Sequence, residues 1–318
     1  MAAIGTDIRL AKQLLTDGEL VAIPTETVYG LAANAMDVRA VTKIFLAKNR
    51  PAFDPLIVHV GSLVQARSIT RAWPSAAEVL ATKFWPGPLT LVLPKIERVP
   101  DLVTSGLDTV GVRCPNHPVT LSLLSSLDFP LAAPSANPFG YVSPTTADHV
   151  QKQLGEQLPY ILDGGPCRVG VESTIVGFEQ NRVIVYRLGG LDIETIEDAV
   201  GPVSTQTNFS SNPKAPGQLS SHYAPGKQVF LGALNEVLTT YPPEKVGVLA
   251  FSNPVGQVPS TNQIILSPEG RIEEAAQQLF AALRQFDQMD VSIIWAETVP
   301  NRGIGRAIND RLRRASHR

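Results

Sequence analysis

The sequence is poor in the residues that build metal and redox centres. Among 318 residues it holds two cysteines, Cys114 and Cys167, and five histidines. The cysteines lie far apart without metal-type spacing, which argues against a zinc ribbon or a disulfide scaffold. Both read as reduced thiols packed as small hydrophobes. A basic excess is missing too. Lys and Arg number 27 against 29 Asp and Glu, a formal net charge of −2, which is not the balance of a dedicated nucleic-acid binder. Any positive site must be local. No stretch approaches about 18 apolar residues, so no transmembrane helix is expected. Met1 to Leu10 contains Asp7 and Arg9 and no apolar core of signal-peptide length, which points to a cytoplasmic protein. Three fingerprints are also absent. Without G-x-x-x-x-G-K-[ST] this is not a P-loop enzyme, and without G-x-S-x-G a serine nucleophile is a weak reading. Without G-x-G-x-x-G, any Rossmann likeness is architectural only.

What is present suits a two-domain α/β protein. The chain is 44% hydrophobic, enough for a sizeable core, and its length suggests about two domains. Strand-like runs at 20–23, 56–60, 89–93, 109–113, 131–133, 160–162, 173–176 and 183–187 alternate with helical patterns at 38–48, 75–84, 118–126 and 147–154. Thr6 or Asp7 can cap an earlier helix, and Ser75-Ala-Ala-Glu78 reads as a capping box. The pattern is too uneven for a doubly wound sheet, so residues 1–202 are expected to form one domain around a twisted, mixed sheet. Residues 203–226 are rich in Ser, Thr, Asn, Pro and Gly and read as an extended linker. Residues 227–318 resume β-α-β alternation, with an apolar helical stripe at Ile272, Ala275, Ala276, Leu279, Phe280, Leu283 and Phe286. A small Rossmann-like α/β domain with a parallel sheet is expected there.

The 26 prolines and 24 glycines punctuate short polar clusters at strand ends. Pro24-Thr-Glu-Thr-Val-Tyr-Gly30 follows a strand, where ligands sit in α/β sheets, although Thr25 or Thr27 capping an ordinary turn explains it equally. Lys48-Asn-Arg50 before Pro51 places two cations where one anion can meet both, or simply at a solvated helix end. Phe84-Trp-Pro-Gly-Pro-Leu makes a rigid, shaping corner. Arg113 ends a strand, where it can pair with a carboxylate. Ala132-Ala-Pro-Ser-Ala-Asn137 allows close backbone approach, and Ser143 stands just before a helix, a natural anion position. Asp163-Gly-Gly165, Glu172-Ser-Thr174 and Tyr186-Arg-Leu-Gly-Gly190 add a turn and polar groups beside strands. Lys48, Arg50, Arg113 and Arg187, with short hydroxyl donors and no Cys/His cluster, describe a pocket for a nucleotide and a carboxylate.

These strings, in this order and spacing, resemble the threonylcarbamoyl-AMP synthases of the YrdC-like family in their longer, two-domain form. They are PTETVYGLA, KNRP with PLIVHV, FWPGPLTLVL, TVGVRCP, APSAN, SPTTA, DGG, ESTIV and YRLGG. HYAPG, EAAQQLFAALRQFD and GIGRAINDRLRRA carry the likeness into the second domain. The resemblance implies that L-threonine, bicarbonate (or CO2) and ATP are converted to threonylcarbamoyl-AMP and pyrophosphate. The product then passes to a tRNA threonylcarbamoyl transferase machinery that modifies adenosine beside the anticodon, with at most a weak tRNA contact here. It also implies that Thr27, His59, Arg113, Ala133 and Ser173 hold threonine. Arg50, Asp54, Thr109, Ser135, Ser143 and Arg187 would hold the nucleotide, with Lys48 near its phosphates and Lys48 and Arg50 carrying the catalysis. His222 and Tyr223 would fold over the site as a lid. Mg²⁺ would arrive on ATP, with no protein metal site. Two features depart from the family pattern. Asp54 stands where Asn is usual, adding negative charge near ATP, and Ala215–Pro225 starts with Ala where Ser is usual and lacks the Met and basic residues usual in its middle. Two rivals remain: a tRNA or double-stranded-RNA binding module, and a carbamoyl-phosphate-dependent transferase. The latter predicts zinc-finger or acylphosphatase-like segments that are absent.

Overall fold

The computed structural model describes residues 1–180, 182–207 and 222–317. Most of Ala215–Pro225, the departing part of the linker, therefore lies outside the described residues. Eleven strands build the first sheet. From one edge to the other they are Ala3–Gly5, Tyr160–Leu162, Val21–Ile23, Gly30–Asn34, Leu131–Ala132, Ile57–His59, Thr109–Arg113, Leu89–Pro94, Thr174–Glu179, Arg182–Arg187 and Ser204–Thr205. Parallel and antiparallel pairs mix, as expected. Val21–Ile23 runs antiparallel to Gly30–Asn34, while Ile57–His59 runs parallel to Thr109–Arg113.

Three differences from the sequence expectation have clear causes. Gly30–Asn34 was hidden because its Gly-Leu-Ala-Ala start is buried on both faces, so no alternation marks it. The capping box does not form. Pro74 takes the N-cap position and Ser75 is already helical, so Glu78 turns outward to Arg67, 2.5 Å away. Ser204–Thr205 pairs in parallel with Ile184–Val185, so the first sheet extends into the segment read as linker. Of the two caps expected for the first helix, Asp7 is the one used, accepting from the backbone of Arg9 and Leu10.

The second sheet has four parallel strands in the order Gln228–Phe230, Ile293–Ala296, Val246–Ala250, Gln263–Ile265. Its long helix, Ile272–Phe286, buries the expected stripe from Ala275 to Phe286, with Ile272 half-buried at its start. That stripe does not serve its own domain alone. Leu279, Phe280 and Leu283 share one apolar core with Val28, Val142 and Val171 of the first domain and with Tyr223. Arg284 adds polar seams, donating to the Val142 carbonyl and, at 2.8 Å, to Gln153. Two domains with a common core of this kind are held by burial, which scales with the apolar area removed from water. No helix among the described residues is long and apolar enough to cross a membrane.

Candidate active site

Strand ends, a helix end and loops converge on one cleft. Its floor is the Pro24–Gly30 loop. Thr25 is the turn-former, accepting from the amides of Thr27 and Val28 and donating to the Val28 carbonyl at 2.6 Å. That leaves Thr27 on the cavity wall, 2.8 Å from the Thr25 hydroxyl. Tyr29 anchors the loop from behind by donating to the Gly165 carbonyl at 2.8 Å, which gives the Asp163-Gly-Gly165 turn a structural role.

The helix Val38–Lys48 ends on Asn49 in the left-handed conformation (φ 50°), and that reversal turns both flanking cations inward. Lys48 is buried and donates to the carbonyls of Ser135, at 2.6 Å, and Asn137. Burial, then the neighbouring Arg50 cation, pushes its ammonium well below the usual lysine range. Arg50 donates to the Asp54 and Pro55 carbonyls at 3.1 and 2.8 Å, and its Nη2 lies 2.8 Å from the Asp54 carboxylate.

Opposite, His59 and Arg113 end adjacent paired strands. Burial, then the Arg113 charge, holds the His59 imidazole down at about 3, so it is neutral near pH 7. Arg113 donates at 3.4 Å to the Gly87 carbonyl, so the Pro86-Gly87-Pro88 corner shapes the site through this arginine. Any Cβ on Gly87 would sit 2.2 Å from the Phe84 carbonyl oxygen, so the corner requires glycine. Behind Arg113 lies Glu26, 2.7 Å away and equally buried. Its oxygens receive no hydrogen bond from the described residues, so the contact is one of charge and not of an aligned N–H. Arg187 donates to the carbonyl and hydroxyl of Ser173 at 3.1 and 3.0 Å, and Ser173 also lies 2.8 Å from Thr90. Gly189 lets this corner close, because a Cβ there would meet the Glu172 carbonyl oxygen at 2.3 Å.

Most residues singled out from the sequence line this one cavity: Thr27, Lys48, Arg50, His59, Arg113, Ala133, Ser135, Ser173, Arg187, His222 and Tyr223. Three stand off it. Asp54 is wholly buried behind Arg50 as its counter-ion, so the extra negative charge is already neutralised. Thr109 begins its strand and faces a separate small cavity beside Thr90 and Gly111. Ser143 is buried and spends its hydroxyl on Glu172 at 2.5 Å. His222, Tyr223 and Ala224 lie between the two domains. Ala224 bonds the Gly140 carbonyl at 3.0 Å, and Tyr223, at φ 65°, stacks 5.7 Å from Phe280. His222 meets the Phe139 ring edge-on at 5.8 Å. Glu26, Glu172 and Phe139 carried no role in the sequence reading. A carboxylate whose task is to hold an arginine leaves no motif of its own.

Comparisons with known proteins agree on this architecture. Residues 13–189 match the family model named for Sua5, YciO and YrdC and described as telomere recombination. Residues 191–317 match the one described as the threonylcarbamoyl-AMP synthase C-terminal domain. A threonylcarbamoyl-AMP synthase from Pyrococcus abyssi is 42% identical, covering 97% of this chain and 94% of that protein. One from Bacillus subtilis is 39% identical, covering 97% and 92%. The crystal structure of P. abyssi Sua5 complexed with L-threonine superposes with a TM-score of 0.91 at 40% identity, covering 99% of this chain and 97% of that one. Escherichia coli YciO, at 20% identity and a TM-score of 0.55, shares only the fold, over 62% of this chain and all of that one. The chain therefore belongs to the threonylcarbamoyl-AMP synthase family.

Proposed function

We propose that this chain makes threonylcarbamoyl-AMP and pyrophosphate from L-threonine, bicarbonate or CO2, and ATP. The observation that carries the reading is the convergence of Lys48, Arg50, Arg113 and Arg187 on one cavity that also exposes short hydroxyls and, among the described residues, no nucleophile–base pair. The chemistry needs alignment more than covalent catalysis. The threonine amine, once it has lost its ammonium proton, attacks CO2 and releases a second proton to solvent to give a carbamate. A carbamate oxygen attacks the α-phosphorus, the bond to the bridging oxygen breaks, and pyrophosphate leaves. Fixed cations stabilise the charge that develops. Arg113 suits the threonine carboxylate, with Thr27, neutral His59, Ser173 and the Ala133 backbone around the rest of the amino acid. Lys48, Arg50 and Arg187, with Ser135, suit the nucleotide, and Lys48 and Arg50 bear on the transferring phosphorus. The carboxylates nearest these cations, Glu172 and Asp54, are engaged by Arg311 and Arg50. Mg²⁺ is accordingly assigned to ATP as its substrate complex. The product would pass in the cytoplasm to the machinery that modifies tRNA.

The direct test is incubation with ATP, Mg²⁺, bicarbonate and labelled threonine. Threonine-dependent pyrophosphate and a labelled AMP ester are expected, and ATP consumption without either would end this reading. A second expectation follows from Lys48. Polyphosphate beside its depressed ammonium favours the charged form, so ATP binding takes up protons and weakens as pH rises. Calorimetry at about pH 8–9, above the second pKa of a phosphate (about 6), isolates this effect. Buffers of different ionisation enthalpy should give net uptake that disappears in Lys48→Met. Equal uptake in both proteins would assign the proton elsewhere.

A further inference from the structure

The last helix, Gly305–Ser316, belongs to the second domain, yet one of its arginines reaches the cavity wall of the first. Arg311 is fully buried. Its Nε donates to Glu172 at 2.9 Å, its Nη1 to Asp310 at 2.7 Å and its Nη2 to the Leu188 carbonyl at 2.8 Å. Its guanidinium also stands 4.8 Å from the centre of the Tyr223 ring. One side chain therefore holds a cavity carboxylate, the strand-end turn after Arg187 and an aromatic residue of the lid.

Glu172 is the reason this matters. It lines a cavity otherwise populated by cations, and both its oxygens are occupied, one by the Ser143 hydroxyl and the other by Arg311. Burial alone would raise its carboxyl, but Arg311, Arg187 and the Ser143 hydroxyl together hold it below the usual range, so it is ionised. An ionised carboxylate without Arg311 has Arg187 as its next charged neighbour, and pairing there would draw Arg187 away from phosphate. The planar fork of arginine suits three separate acceptors at fixed angles, which a lysine cannot reproduce. A desolvated cation over the Tyr223 face adds attraction that fixes the ring.

We propose that Arg311 is a positioning residue supplied by the second domain, which holds Glu172 away from Arg187 and backs Tyr223, and so keeps the nucleotide half of the cavity competent. The proposal rests on the assignment of Arg187 and Tyr223 to ATP.

The test measures Mg-ATP binding by calorimetry beside KM for ATP and for threonine. Arg311→Met should weaken ATP at least tenfold while moving the threonine KM less than threefold. Glu172→Gln added to Arg311→Met should recover at least threefold of the ATP affinity, because the unpaired charge is gone. Arg311→Lys should lose at least threefold of the ATP affinity but less than Arg311→Met, and its loss decides if Arg311→Met is not recovered folded. Arg306→Ala breaks another inter-domain pair, with Glu194 at 2.8 Å, and should change neither constant. ATP affinity within twofold of wild type in Arg311→Met or Arg311→Lys would overturn the proposal. So would an equal loss of ATP and threonine affinity, or the same loss in Arg306→Ala. Calorimetry separates the two readings: a wild-type protein that binds ATP but forms no threonylcarbamoyl-AMP defeats the proposed reaction and leaves the role of Arg311 to be judged on ATP affinity.

Discussion

Arg50→Ala is expected to abolish threonine-dependent pyrophosphate release and, in the same protein, to cost about 3–5 kcal/mol of stability. Both losses come from one side chain. On its cavity face Arg50 is one of the cations that line the cleft, proposed above to meet the α-phosphoryl charge. On its other face it is the counter-ion of Asp54, which is wholly buried 2.8 Å away. From sequence alone the substitution reads as a clean active-site knockout, and the buried pair removes that simplicity. Burial raises the Asp54 carboxyl and Arg50 opposes the rise, so the alanine variant raises it further. A group with a raised folded pKa contributes its stability at low pH and loses it as pH climbs, so the variant's thermal deficit should be smaller at pH 5 than at pH 8. Asp54→Asn in the Arg50→Ala background should restore most of the melting temperature and none of the turnover. Turnover in that double variant would remove Arg50 from the chemistry. An unchanged melting temperature in the single variant would show that Asp54 does not depend on it.

Arg113→Ala should raise the threonine KM by about 30-fold or more, in keeping with the ~2–5 kcal/mol typical of truncating one partner of a buried charge pair. ATP binding should change far less, since Arg113 lies on the His59 side of the cavity. Here too a buried carboxylate is stranded. Glu26 loses the guanidinium 2.7 Å away, and among the described residues it receives no hydrogen bond to fall back on. Glu26→Gln alone tests the other half of the pair. It should leave the ATP KM near wild type and raise the threonine KM moderately, because Arg113 keeps its Gly87 contact but loses its electrostatic anchor. A threonine KM unchanged in Arg113→Ala would take that arginine out of the amino-acid site, whatever happens to stability.

Both cases show where linear reading stops. Lys48, Arg50, Arg113 and Arg187 stand out because each sits beside a Pro or Gly corner at the end of a strand or helix, and such local punctuation is visible along the chain. Their counter-charges do not stand out. Glu26 is 87 residues from Arg113, and Glu172 is 139 residues from Arg311, so no spacing rule joins them. Thr109 and Ser143 fail to reach the cavity for related reasons. Alternation along Thr109–Arg113 sets only which sheet face each residue meets, and at Thr109 the strand lines a separate cavity. Ser143 is claimed by a carboxylate that comes from a distant turn.

The sequence by itself determined a mixed α/β first domain, the parallel second domain, the helical stripe from Ile272 to Phe286 and a cationic pocket assembled at strand ends. Each of these rests on hydrophobic period or on turn chemistry, which are local properties. Tertiary structure alone decided that the stripe would be shared with Val28, Val142 and Val171, that Tyr223 would be clamped between Phe280 and Arg311, and that the cavity arginines would each meet a particular carboxylate or carbonyl. Those outcomes depend on which faces the folded sheets turn toward each other. A buried charge is tolerated only where its partner comes to lie, and that place exists only once the chain has folded.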